Sequence, residues 1–198
     1  GDGAKVKCET TPFPWHGLST ARNSKKIDAI MNSMSITDER KKTIDFSDKY
    51  YNTPAAVIGS KDQKFDASPA ALKGKVLGAQ ASTIHSNYLE DVYGKAGAEV
   101  KLYGKQDEAN LDLANGRLDA ILADKVVLME WLATKDGACC KFTGAEYTDP
   151  KYFGDGVGVG IRKTDPELVA MFNKAIDEIL ADGTYKTINA KYFPFSVY

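Results

Sequence analysis

Two six-residue segments of this chain are near copies of each other, and they constrain the fold more than any other feature. Lys26-Ile27-Asp28-Ala29-Ile30-Met31 returns as Arg117-Leu118-Asp119-Ala120-Ile121-Leu122, 91 residues later in a chain of 198. Each copy follows a stretch that reads as a short helix. Each is an apolar run broken only by one aspartate, the pattern of a strand covered on both faces. A duplicated βαβ unit produces such a repeat and predicts two α/β lobes, one copy in each. The length agrees, because 198 residues exceed one typical domain of about 100–150 residues and fall short of two full ones.

Helix and strand signals alternate along the rest of the chain. Short strands are predicted at Val6–Thr10, Ile27–Met31, Val76–Gln80, Glu99–Tyr103, Leu118–Ala123 and Val157–Arg162, with extended pieces at Asp45–Ser47, Tyr50–Thr53 and Ala55–Gly59. Helices are predicted at Leu18–Ser24, Asp38–Lys42 behind an N-cap at Thr37, and from a cap at Ser82 or Thr83 to Val92 or Tyr93, stopping at Gly94. Further helices cover Gln106–Asn115 and Val126–Thr134. The stretch Gly137–Asp155 reads as irregular. Thr164-Asp165-Pro166-Glu167 has the form of a capping box ahead of a helix. On that helix Leu168, Met171, Phe172, Ala175, Ile176, Ile179 and Leu180 share one face. Thr184–Tyr192 is a shorter helix.

Carried two residues past each strand, the repeat pairs Ser33 with Asp124. Both then lie just beyond the carboxyl end of a strand, where open parallel sheets bind ligands. A bland alternative for each is capping: Ser33 of a turn, Asp124 of the helix that follows. The repeat also shows an imbalance. Gly74–Gly97 supplies a strand and a helix ahead of the strand at Val100, and the first lobe has no counterpart before Val6. The first lobe is therefore expected to be incomplete at its start. Its uncovered apolar surface predicts dimerisation or segment swapping.

Composition narrows the function. The 26 Lys and Arg nearly balance the 27 Asp and Glu, which argues against a general nucleic-acid binder. No apolar run reaches the roughly 18–20 residues of a membrane span. No signal peptide is recognisable, so the chain reads as cytosolic or already processed. Three cysteines and two histidines stand at no zinc spacing, so no metal or cofactor is expected. Adjacent Cys139 and Cys140 read more readily as small loop residues than as a disulfide. The glycine-rich run Gly154–Gly160 leads into a strand rather than a helix, which rules out a dinucleotide loop. No nucleophile–base pair stands out around His16 or His85.

Four sites carry candidate chemistry. Arg40, in the first turn of a helix, opposes the helix dipole unless an anion sits beside it, and its planar fork suits a carboxylate. Flanking Lys41 and Lys42 make a solvated surface arginine the plain alternative. Ser82 and Thr83 open a helix directly after a strand, a place suited to anions or to simple capping. Asp124 is a candidate for an ammonium group. Trp15, in a Pro-Phe-Pro-Trp-His-Gly loop, is a stacking platform or core filler. Together these suggest a zwitterion site.

The run Asn32-Ser33-Met34-Ser35-Ile36-Thr37-Asp38-Glu39-Arg40, followed by Asp45-Phe46-Ser47-Asp48-Lys49-Tyr50-Tyr51, resembles the signature of periplasmic polar amino-acid-binding proteins. These are the receptors of ABC importers, and the lysine/arginine/ornithine- and histidine-binding group is most similar. Gly116–Ala120, Asp182–Tyr185 and Lys191–Phe193 match as well. The resemblance implies a two-lobed periplasmic binding protein type 2 fold, α/β, with a ligand cleft between the lobes. Lobe 1 would comprise residues 1–53 and 156–198, and lobe 2 residues 54–155. By position Arg40 would clamp the α-carboxylate, with Ser35, Ser82 and Thr83. Asp124 would hold the α-amine with Ser33, Trp15 would stack on the ligand side chain, and Met34 would lie in the same ligand-contacting run. The implied partners are a free, cationic amino acid and membrane-embedded ABC permease subunits, in the periplasm after signal-peptide removal. The family begins with a strand, an aromatic and a helix that have no match before Val6. The implied disulfide partner of Cys8 falls in that helix, which leaves Cys8 unpaired. A dehydratase-type enzyme on the same fold and a non-binding interaction protein are the alternative functions.

Overall fold

A computed structural model describes residues 6–64 and 66–198. In chain order the elements begin with α1 (Leu18–Asn23), β1 (Ala29–Ile30), α2 (Asp38–Lys41), β2 (Asp45–Phe46) and β3 (Ala55–Ser60). Then come β4 (Val76–Gln80), α3 (Ile84–Tyr88), β5 (Glu99–Tyr103), α4 (Gln106–Ala114), β6 (Ala120–Asp124) and α5 (Lys125–Leu132). The chain closes with β7 (Cys140–Tyr147), α6 (Pro150–Phe153), β8 (Gly160–Ile161), α7 (Pro166–Ala181) and α8 (Thr184–Tyr192). The elements fall into two compact units. Unit 1 is Gly1–Asn52 with Gly154–Tyr198, and unit 2 is Thr53–Phe153.

Unit 2 is built on a five-stranded sheet in the order β5-β4-β6-β3-β7. β4 pairs in parallel with β5 and β6, joined through the crossover helices α3 and α4, while β3 runs antiparallel to β6 and β7. The strands β3, β4 and β6 are buried on both faces. One core holds Leu72, Leu77, Leu89, Tyr93 and Leu122. A second, under α4 and α5, holds Ile58, Leu113, Leu118, Ile121 and Leu128.

Unit 1 has a smaller framework, a three-stranded sheet in the order β1-β8-β2 with both pairings antiparallel. Its core cluster is Leu18, Ile30, Met34 and Ile44, flanked by Phe13, Trp15, Ile27 and Phe46. Of the seven apolar residues on the predicted face of α7, Ile176 alone is buried.

Several expectations are corrected. Val6–Thr10 is not a strand. Its counterpart β5 exists by pairing with β4, and among the described residues of unit 1 no strand lies beside it. The strand expected over Ile27–Met31 shrinks to two residues for the same reason. The irregular stretch Gly137–Asp155 contains β7 and α6. β7 was hidden because its pairing shifts register opposite Ala55 and Val57, which spoils the alternation that marks a strand. The helix after Thr83 widens to a π-helical turn at Leu89–Gly94 and ends at the predicted glycine. The cap of α7 is Asp165 rather than Thr164, with no side-chain capping bond. Cys139 and Cys140 form a disulfide at the entrance to β7, so they are not merely small loop residues, while Cys8 is free and exposed.

Candidate functional site

In unit 1 the chemistry gathers around α2. Thr37 caps this helix, its hydroxyl accepting from the Arg40 amide at 3.3 Å. That cap turns the Arg40 side chain back toward the loop before it. Arg40 Nη1 donates to the Ser35 carbonyl at 3.0 Å, and the guanidinium lies 5.6 Å from the centre of the Trp15 ring. Trp15 is therefore a platform for Arg40. A cation over an indole gains about 0.5–2 kcal/mol depending on desolvation. The side chain is largely enclosed, and burial pulls its pKa down to about 10, with no carboxylate among the described residues offsetting it. A half-buried guanidinium held by one carbonyl and a ring has donors left that suit a carboxylate.

Ser33 lies beyond the end of β1 with φ at 45°, in the left-handed region that side chains other than glycine rarely adopt. Its hydroxyl accepts from the Tyr51 hydroxyl. Ser35 bridges to Val157 through the backbone. Met34, between them, turns inward: its side chain is buried in the unit 1 core and approaches Gly160.

In unit 2 the chemistry sits at the ends of β4 and β6. Asp124 ends β6 and caps α5, accepting from the Val126 amide at 3.0 Å and the Thr53 hydroxyl at 2.7 Å. The capping alternative therefore holds in the structure. Burial nevertheless outweighs these bonds and raises the carboxyl pKa. A buried carboxylate whose charge is under-compensated favours a cationic partner. Thr83 caps α3 in a reciprocal box: its hydroxyl accepts from the Ser86 amide at 3.1 Å and donates to the Gln80 carbonyl at 2.7 Å, while Ser86 Oγ accepts from the Thr83 amide at 3.2 Å. Its polar groups are committed to the fold. Ser82, next to it, is exposed and has φ at 61°. Strained backbone of this kind concentrates at ligand sites, so Ser82 and Ser33 acquire a second reason to be singled out.

Tyr51 and Thr53 were not anticipated as site residues. Each is a single hydroxyl whose partner, Ser33 or Asp124, is distant in sequence, and no local pattern marks it. A separate open groove of about 530 Å³ in unit 1, lined in part by Lys41, Asp45, Ser47, Lys49 and Asp155, contains none of the predicted ligand residues.

Comparison with known proteins shows the family. Residues 1–195 match the family model of bacterial extracellular solute-binding proteins, family 3. The L-arginine-binding protein of Pseudomonas aeruginosa is 46% identical over 195 residues, 98% of this chain and 75% of that protein. The lysine/arginine/ornithine-binding periplasmic protein of Escherichia coli is 42% identical over the same shares. Among solved structures, an ancestral arginine-binding protein bound to arginine superposes with a TM-score of 0.88 at 34% identity, covering 97% of this chain and 83% of that one.

Proposed function

The chain belongs to the family 3 bacterial extracellular solute-binding proteins, and from that membership we propose that it binds a free cationic amino acid for delivery to an ABC importer. Arg40 takes the α-carboxylate and Asp124 the α-ammonium group. Ser82 and Ser35 assist at the carboxylate, Ser33 assists at the amine, and Trp15 presents its ring to Arg40 and to the ligand. Thr83 acts through its cap, fixing the turn that carries Ser82, and Met34 holds the Ser33–Ser35 run against the core. The single observation that carries this reading is Arg40: a largely enclosed guanidinium with a depressed pKa, which no carboxylate among the described residues offsets.

The relatives' names, arginine and lysine/arginine/ornithine, support a basic side chain on the ligand. The word periplasmic in the name of the Escherichia coli protein supports the same compartment here. Membrane-embedded permease subunits are the partner that receives the amino acid. Among the described residues no helix is long and apolar enough to cross a membrane.

Isothermal titration with arginine, lysine, ornithine and histidine tests the proposal. At least one should bind, and Arg40→Ala should weaken it by about 1.5–3 kcal/mol or more, the worth of a charge-assisted hydrogen bond. Absence of heat for every amino acid, or an Arg40→Ala chain that binds as the parent does, sinks it.

A further inference from the structure

Asp124 keeps its charge against burial, and the group that helps it most lies outside the helix it caps. Burial raises the carboxyl pKa, and of the bonds that oppose this the one from the Thr53 hydroxyl has the largest effect. That bond is 2.7 Å long and ends on Oδ1, the same oxygen that accepts the Val126 amide at 3.0 Å. The Val127 amide contributes less. A carboxylate has about four lone-pair sites on its two oxygens. With both close donors on Oδ1, Oδ2 keeps the greater capacity for a further donor.

The fold does not need this hydroxyl. The Lys125 amide already donates to the Pro54 carbonyl at 2.9 Å, and Ala55 stands opposite Asp124 in the β3–β6 register. The cap of α5 is made by the Val126 amide. Yet the dipeptide Thr53-Pro54 holds the hydroxyl in place. A residue before proline is kept to extended backbone, and a β-branched side chain has few χ1 choices. The other acceptor in reach, the Pro54 carbonyl, is 3.5 Å away, so the proton goes to the carboxylate. Neighbouring charges do not replace it. Glu130 of α5 repels the carboxylate, and Lys125 is taken up by Glu146. β3 and β4 carry no charged side chain. His85 and Tyr88 of α3 pack on Phe153. On α4, Asp107 and Glu108 are exposed and Asp112 is paired with Arg117.

We propose that Thr53 is a positioning residue of the amine subsite: its hydroxyl holds Asp124 as an oriented carboxylate, with Oδ1 engaged and Oδ2 presented to the α-ammonium group of the amino acid. The inference rests on the role proposed above for Asp124 and extends it to the residue two positions ahead of β3. Thr53 acts on the ligand only through Asp124, so its influence is confined to ligands that carry an α-amine.

The test has an arm without ligand and an arm with it, both on the full chain. Without ligand, the carboxyl carbon resonance of Asp124, identified by its absence in Asp124→Asn, reports the titration. Thr53→Val and Thr53→Ala each remove the donor, and Thr53→Ser keeps it. The midpoint should rise by about one pH unit in the first two, as expected for losing a hydrogen bond to a charged group, and stay at the parent's value in the third. With ligand, Thr53→Val should weaken the tightest binder among arginine, lysine, ornithine and histidine about tenfold at neutral pH. It should also move the acid limb of the affinity profile to higher pH, and Thr53→Ser should restore both. The analogue of that ligand without its α-amine should bind the parent and Thr53→Val alike. A midpoint that stays put in both donor-free variants overturns the assignment, whether or not any amino acid binds. A midpoint that moves while no amino acid binds the parent sinks the receptor reading, and the ammonium role of Thr53 with it. Equal losses for the ligand and its analogue, or a loss that Thr53→Ser does not restore, show Thr53 acting on the fold and overturn the proposal too.

Discussion

Arg40 and Asp124 are costly residues in the unliganded chain, and the cost has the same physical origin in both. Each keeps a charge in a desolvated place with fewer compensating contacts than the charge needs. For Asp124 the sign is open to measurement. Burial raises its folded pKa above the ordinary 3.8, so the folded state binds the proton more tightly than the unfolded chain does. Relative stability from this group is fully present below the unfolded pKa and is lost as pH rises through the raised folded value. Asp124→Asn keeps a good N-cap and removes the titration. Denaturant melts across the acidic range should therefore show Asp124→Asn gaining on the parent as pH rises through that window. A gap between the two that is constant with pH refutes the assignment. On the proposed role of Asp124, ligand affinity should move the other way, falling as acidification protonates the carboxylate and removes its attraction for an ammonium group. The position of Arg40 was legible in the sequence because a cation in a first helical turn is conspicuous. The left-handed backbone of Ser33 and Ser82 was not, because packing around a turn sets it and no residue type announces it.

At the scale of elements, the turns that end strands and helices do more than connect. Gly137 shows this. It lies in the short turn Asp136–Cys139 between α5 and β7, and a β-carbon there would stand 2.1 Å from the Trp131 carbonyl oxygen and 2.7 Å from the Leu132 α-carbon. Both are backbone atoms and cannot swing aside. Gly137→Ala should therefore displace the end of α5 and cost about 2 kcal/mol or more, at the upper part of the range for overpacking. A melting curve unchanged within error would show that the turn yields. The same turn explains why β7 escaped the sequence reading. Gly137 and Gly144 gave the segment the look of a loop, yet one glycine permits close approach to α5 and the other, with φ at 76°, sits in the strand itself. By contrast β4, β5 and α8 keep the bounds read from sequence, because local propensity, apolar run and terminating residues agree there. Where tertiary pairing decides, as for Val6–Thr10 and the ends of β1, the sequence overestimates the strand.

The two units differ in how much of their stability is internal. Unit 2 is one continuous stretch, Thr53–Phe153, with a five-stranded sheet and two core clusters. Unit 1 is assembled from two separated stretches and, among the described residues, rests on a three-stranded sheet with one four-residue cluster. Its longest helix, α7, leaves most of its apolar face half-covered or exposed. Hydrophobic stabilisation scales with apolar area removed from water, so unit 2 holds the larger share. Unfolding of the whole chain should then depart from two-state behaviour, with unit 1 opening first. Hydrogen exchange in mild denaturant should show the amides of β3, β4 and β6 protected after those of β1, β2 and β8 have exchanged. The fragment Thr53–Phe153 expressed alone should unfold cooperatively, with a midpoint close to the later transition of the full chain. A cationic amino acid that engages Arg40 stabilises unit 1 by mass action and should bring the two transitions together. Coincident transitions without ligand, or a fragment that does not fold, would show instead that unit 2 draws its stability from the rest of the chain.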